Sequence, residues 1–134
     1  MLEAKAALDW IKIHKKVAIV GLSPNPDRPS HRVGKFLLER GFEIVPVNPA
    51  HEEILGLKAV KSLSDLSPQE VDWVDLFVNP ARLKDLASPI GQLKPGLVWC
   101  QIGVLNEEFN RQLDEWRIPY TADICPKMEW EKEQ

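Results

Sequence analysis

The chain has 134 residues, 44% of them hydrophobic and 28% charged, with 17 basic against 20 acidic side chains and a formal net charge of −3. That length suits one domain with one core, residues 1–134, and leaves no room for a nucleotide domain plus a separate substrate domain. The composition excludes disorder and fibre, and the slightly acidic balance offers no general field for nucleic acid or an anionic membrane, so neither is expected as a partner.

The longest apolar runs are only a few residues, and Glu3 and Asp9 interrupt the N-terminal segment where a signal peptide would be basic and then apolar. A cytoplasmic protein is expected. Cys100 and Cys125 stand in apolar surroundings without CxxC or CxxH spacing, a pattern of reduced thiols rather than of a disulfide framework or a zinc site.

In chain order, Leu2 to His14 places Leu2, Ala6, Trp10 and Ile13 at helical spacing, and the apolar run Val17 to Val20 that follows reads as a buried strand. Ser30 to Arg40 is expected to be a helix with Ser30 as N-cap, Val33, Phe36 and Leu37 on one face, and Gly41 just past its end. A strand follows at Phe42 to Val47. Leu57 to Val60 reads as a short extra strand, Ser64 to Leu66 as a turn, and Val71 to Val78 as a third full strand.

Asn79-Pro80 supplies an N-cap and a first-turn proline for a helix through Leu83, Leu86 and Ala87, which Ser88-Pro89 is expected to interrupt. Gly96 to Ile102 is strand-like, Asn106 to Trp116 is a helix with Phe109, Leu113 and Trp116 on one face, and Ile118 to Ala122 is a last strand. The charged end from Glu129 to Gln134 is expected to fray, leaving Trp130 exposed as a candidate contact for a second copy. The alternation of strands and helices predicts an α/β fold, a doubly wound, mostly parallel sheet of five or six strands with helices on both faces.

In such a sheet ligands bind just past the carboxyl ends of the strands. Unusual residues stand at every one of these ends: Gly21 and Ser23, Val47-Asn48-Pro49, Val78-Asn79-Pro80, Gln101 and Gly103, and Asp123 with Cys125. Either Asn-Pro pair alone reads equally well as a turn cap, but five such ends on one edge point to a ligand crevice. Gly21 permits a sharp turn, Ser23 offers a hydroxyl, and the helix that follows presents its N-terminus to an anion such as a pyrophosphate. Gly34 lies inside that helix, where it suits close packing against the first strand, as the last glycine of a dinucleotide fingerprint does. Arg28, His31, Arg32 and Lys35 concentrate positive charge at the same place. Lys15 and Lys16 precede the first strand and fall at the opposite edge.

A dinucleotide enzyme usually places Asp or Glu at the end of its second strand to hold the adenosine ribose. Asn48 occupies that place here, and no GxGxxG pattern is present. An NAD(P)-binding redox sensor or oxidoreductase is therefore an alternative rather than the leading reading.

The residues Gly21-Leu-Ser-Pro-Asn-Pro-Asp-Arg-Pro-Ser30, Pro46-Val-Asn-Pro49, Ile54-Leu-Gly56, Val71-Asp-Trp-Val-Asp-Leu-Phe77, Trp99-Cys-Gln-Ile-Gly103 and Asp123-Ile-Cys125 resemble a family of small Rossmann-like coenzyme A (CoA) binding proteins. That family is similar in fold to the CoA-binding domain of the succinyl-CoA synthetase α subunit. The resemblance runs from about Val17 to Met128. It implies CoA as cofactor, lying across the carboxyl edge with its pyrophosphate at Gly21, Ser23 and the following helix. The adenosine end would lie near Pro46 to Pro49 and the Phe77-to-Pro80 turn, and the pantetheine arm near Gln101 and Gly103. Arg28 and Arg32 would meet phosphates, the 3′-phosphate included. The chain departs from the family at Val78-Asn79, where an arginine is common, and at Ile124, where a basic residue often precedes the cysteine.

No nucleophile, base and orienting group can be assigned from spacing, so a binding module is expected rather than an enzyme. Cys125 reads either as a buried apolar side chain or as a thiol able to exchange with that of CoA. A further alternative is the CoA-binding subunit of a multi-chain acyl-CoA synthetase, with an ATP-binding protein as partner, because this chain has no room for the ATP-using domain.

Overall fold

A computed structural model describes every residue from Met1 to Gln134. Helix α1 (Ala4–Ile11) leads into strand β1 (Lys16–Val20), followed by helix α2 (Pro29–Glu39) and β2 (Glu43–Val47). A hairpin of β3 (Glu53–Ile54) and β4 (Leu57–Lys58) and two short 3₁₀ turns lead to β5 (Trp73–Leu76). Then come α3 (Leu83–Leu93), β6 (Leu97–Cys100), α4 (Glu107–Glu115), β7 (Tyr120–Ala122) and α5 (Pro126–Lys132).

The five long strands form one sheet in the order β2-β1-β5-β6-β7, every neighbouring pair parallel. The chain starts near the middle, moves outward to β2, then returns past β1 and continues the other way. The strand order therefore reverses between β1 and β5, where adjacent crossovers leave on opposite faces and a crevice opens. β5 and β6 are buried along their whole length, because helices cover both faces of the sheet. Ala18, Val20, Val74, Leu76, Val98 and Cys100 pack under α3 and α4. Val17, Ile19, Trp73, Leu97 and Trp99 pack under α1, α2 and α5. No helix is long and apolar enough to cross a membrane.

Four expectations from sequence need correction. The extra strand expected at Leu57 to Val60 does not join the sheet as a sixth member: Leu57 and Lys58 pair in the hairpin, and Val60 makes a single parallel bridge to Val47. Ser30 is not the N-cap of α2. Arg28 holds that position and Pro29 the first helical one, since proline has no N–H to satisfy and its φ is already helical. Ser30 is thereby buried inside the first turn. Pro89 does not interrupt its helix but lies within α3, because Leu83, Ile90 and Leu93 are all held against the sheet and that burial outweighs one missing backbone bond.

The fourth correction concerns the charged end. It does not fray as a whole: α5 runs to Lys132, and Trp130 is half-buried, edge-on to Phe36 at 5.8 Å and to Phe42 at 6.0 Å between ring centres. Lys12 Nζ lies 2.7 Å from Glu133 Oε1 and ties the end of α5 to α1. Trp116, expected beside Phe109 and Leu113, follows the last turn of α4 and lies against Gly91 of α3, 41% exposed.

Short contacts also meet both outer strands. Val60 N donates to Pro46 O and Asn48 N to Val60 O, each at 2.9 Å, along β2. At the far side Leu2 N donates to Tyr120 O at 2.8 Å, and Thr121 Oγ1 donates to Leu2 O at 3.1 Å. The aromatic anchor of α5 makes a direct prediction. Trp130→Ala lowers stability by about 2–3 kcal/mol through lost burial and ring contacts, read as a lower urea midpoint at unchanged slope; an unchanged midpoint would mean that the helix adds nothing to the core.

Candidate functional site

Gly21 follows β1 with φ +82°, and its N–H donates to Val47 O at 3.0 Å. A Cβ there would penetrate the carbonyl oxygen of Phe77, at the end of β5. Only glycine tolerates both the left-handed φ and this approach, so the turn out of β1 is pressed against the neighbouring strand at the point where the strand order reverses.

The proline-rich loop beyond is folded onto itself. Ser23 N donates to Ser30 Oγ at 3.0 Å, Asn25 N to Ser23 Oγ at 3.1 Å and Asp27 N to Asn25 Oδ1 at 2.9 Å. The His31 ring meets Ser23 O at 2.9 Å through Nδ1, a bond that positions the loop. Arg32 Nη1 donates to Asp27 O at 2.7 Å. Helix α2 has no acidic residue in its first turn and no side chain capping it. Pro29 has no N–H and those of His31 and Arg32 both donate to Arg28 O, at 3.1 and 3.2 Å, so the Ser30 N–H and the helix dipole are what the first turn offers an anion. Arg28 and Arg32 stand exposed beside it, and neither is in an ion pair.

Two cavities meet at this turn. One, of about 760 Å³, has Gly21, Ser23, Arg28, Ser30 and Arg32 at one end and an apolar wall including Val104 and Met128 at the other, with Gln101 and Cys125 between. The second, of about 560 Å³, is lined by Val47, Asn48, Pro49 and Asn79 together with the cations Lys61 and Arg82. They share Gly21, Phe77 and Val78 and make one groove along the carboxyl edge.

Of the residues expected from sequence, the groove therefore gathers all but His31, Lys35, Pro80, Gly103 and Asp123. Pro80 opens the 3₁₀ turn before α3. Gly103 N donates to Asp123 Oδ1 at 2.9 Å and shapes the turn after β6. Asn48 spends its amide on the fold, donating to Leu22 O at 3.0 Å and accepting from Ala50 N at 2.8 Å. Gly34 does bring α2 close, although a Cβ there would meet the side chains of Leu22 and Leu55 rather than β1 itself.

Sequence reasoning missed Lys61, Arg82 and, most consequentially, Asp75. Asp75 is fully buried in the middle of β5, level with Ile19 on one side and Trp99 on the other. Its Oδ1 accepts from Gln101 Nε2, and its Oδ2 has no partner. Burial raises its carboxyl to about 7, opposed by the Gln101 hydrogen bond. The available signal was an acidic residue inside an otherwise apolar strand. Burial also raises the Cys100 thiol to about 12 and pushes the Cys125 thiol up, which keeps Cys125 protonated and a slow nucleophile at neutral pH.

Because the folded state raises the Asp75 pKa above its unfolded value near 3.9, its contribution to stability is whole below that value and is lost as the pH rises through about 7. Asp75→Asn has no such loss. Calorimetric melting from about pH 5 to about pH 8 should show the wild type losing up to about 3 kcal/mol relative to the variant; parallel curves would refute the raised carboxyl.

Comparison with known proteins bears on the same residues. A family model described as a CoA binding domain matches residues 15–131. The uncharacterized Bacillus subtilis protein YneT is 39% identical over 114 residues, 85% of this chain and 84% of its own. A solved structure from Thermus thermophilus superposes with a TM-score of 0.90 at 36% identity and covers 98% of each chain. The alpha subunit of the ADP-forming acetate–CoA ligase II of Pyrococcus furiosus is 33% identical over 86 residues, 63% of this chain but 19% of that subunit, so this chain spans about a fifth of it. The glycine turn, the proline-rich loop and the residues at the strand ends are thus set in a matched stretch that covers nearly the whole chain, which belongs to the family of CoA-binding domains.

Proposed function

We propose that this protein binds CoA or an acyl-CoA along the carboxyl edge of its sheet and serves as a non-catalytic carrier, sensor or partner module. The observation that carries the reading is the two-lobed groove with the Gly21 turn at its waist and the start of α2 and two unpaired arginines beside it. A ligand with a diphosphate in its middle and an extended group on either side fits that plan. The diphosphate lies on the Gly21–Ser23 turn, at the start of α2, within reach of Arg28 and Arg32.

The adenosine lies in the cavity of Asn48, Pro49 and Asn79. Its 3′-phosphate falls to Lys61 and Arg82, the cations of that cavity, while Arg28 and Arg32 serve the diphosphate in the other. The pantetheine arm follows the apolar wall toward Gln101, Cys125 and Met128. NAD is disfavoured because the Asn48 side chain is committed to Leu22 and Ala50 and offers no carboxylate to a ribose.

Titration calorimetry of nucleotide-stripped protein with CoA, 3′-dephospho-CoA and NAD tests this. CoA should bind with a Kd on the order of micromolar, and tighter NAD binding would overturn the reading. Lys61→Ala with Arg82→Ala should weaken CoA about tenfold and leave 3′-dephospho-CoA nearly unchanged, whereas Arg28→Ala with Arg32→Ala should weaken both about equally. The reverse pattern would return the 3′-phosphate to the loop arginines.

A further inference from the structure

The proposed CoA site leaves one group unexplained: a carboxyl sealed in the sheet with one oxygen orphaned. Such an arrangement is costly unless the group is neutral or does something. Asp75 reaches the groove only through Gln101, which is itself 5% exposed and lines the cavity beside Cys125. Gln101 holds Asp75 Oδ1 with Nε2, and its other terminal atom, Oε1, is neither bonded to protein nor sealed from solvent. The two ends of a side-chain amide have the same size and opposite hydrogen-bonding character. A half-turn of this amide reverses what the groove floor offers without repacking anything.

The direction of that half-turn depends on a single proton. When Asp75 is ionised, Gln101 must donate Nε2 to it, and the acceptor Oε1 faces the groove. When Asp75 is protonated, its O–H donates to Oε1 and Nε2 faces the groove with its hydrogens. The neutral form also relieves the orphaned Oδ2 of charge. The surroundings leave the choice to these two residues. β1 presents Ile19 and β6 presents Trp99, while α2 contributes Val33, Phe36 and Leu37 to this side of the sheet. The titratable groups that interact with Asp75 are the thiols of Cys100 and Cys125, both held protonated. Burial near neutrality puts both states within reach.

We propose that the Asp75–Gln101 pair tells acylated CoA from the free thiol: with a proton on Asp75, Gln101 donates to a thioester carbonyl, and without it, Gln101 accepts from the S–H of CoA. Acyl-CoA binding then takes up a proton at Asp75, and CoA binding favours its release. Gln101 is the contact residue and Asp75 the positioning residue behind it. The inference rests on the reading of the groove as a CoA site with the pantetheine end at Gln101.

The test is calorimetric titration of the full chain with acetyl-CoA and with CoA at about pH 6 and about pH 8. Phosphate ionisation is common to both ligands and cancels in the ratio of their dissociation constants. The ratio should shift toward CoA by about tenfold as the pH rises. In Asp75→Asn, which has no proton to gain or lose near neutrality, the shift should vanish whichever way the two amides pair, leaving only ionisation of the ligand thiol. Gln101→Leu should abolish the shift as well and serves if the Asp75 variant does not fold. A ratio independent of pH in the wild type, or the same shift in either variant, would overturn the proposal while leaving CoA binding intact. Failure of both ligands to bind the wild type would overturn the CoA reading and this inference with it.

Discussion

The contact on which the rest depends is the one between Gly21 and the backbone of β5. Because the residue after β1 lacks a side chain, the Phe77 carbonyl can sit where a Cβ would be. The first loop then lies directly over the sheet instead of standing away from it. That approach makes Gly21 a shared wall of both cavities. It also brings the start of α2 and the ends of β1, β2 and β5 to a single point. Any larger residue would push the loop outward and separate the two lobes of the groove.

The loop itself is ordered before any ligand arrives. Prolines at 24, 26 and 29 restrict its backbone, and Ser23, Asn25, Ser30 and His31 bond it to itself. A ligand meeting it therefore finds a backbone already set, and little entropy remains to be lost on binding. The arginines beside it are exposed and without acidic partners, in a protein whose net charge is negative. Local charge, rather than the field of the whole molecule, is what would draw phosphate to this edge.

Much of this was legible in the sequence because it is written in local pattern. Short apolar runs marked the strands, and glycine and Asn-Pro pairs marked their carboxyl ends; the parallel order then placed those ends on one edge. What escaped was decided by residues far apart in the chain. The helical end of the molecule depends on Trp130 finding Phe36 and Phe42, and nothing near Trp130 announces those partners. Pro89 reads locally as a break, yet the contacts of Leu83, Ile90 and Leu93 with the sheet keep its helix whole. Asp75 was hidden for the opposite reason: its neighbours made the strand unmistakable, and the meaning of the carboxyl emerged only when Gln101, from the next strand's end, came to lie against it.

The closing of the outer strands bears on how copies of this molecule can meet. On one side Pro46 removes a donor from the outward row of β2, and Val60 occupies part of that row. On the other, Leu2 lies along the three-residue β7. Unpaired strand edges are the usual template for chain-to-chain sheet growth and for aggregation, and here neither edge presents an unbroken ladder. Self-association by a continuous sheet is disfavoured. Any pairing of two copies would have to use helix faces or the rim of the groove, where Ile102 and Met128 stand more than half exposed, so that assembly and access to the ligand would compete for the same surface.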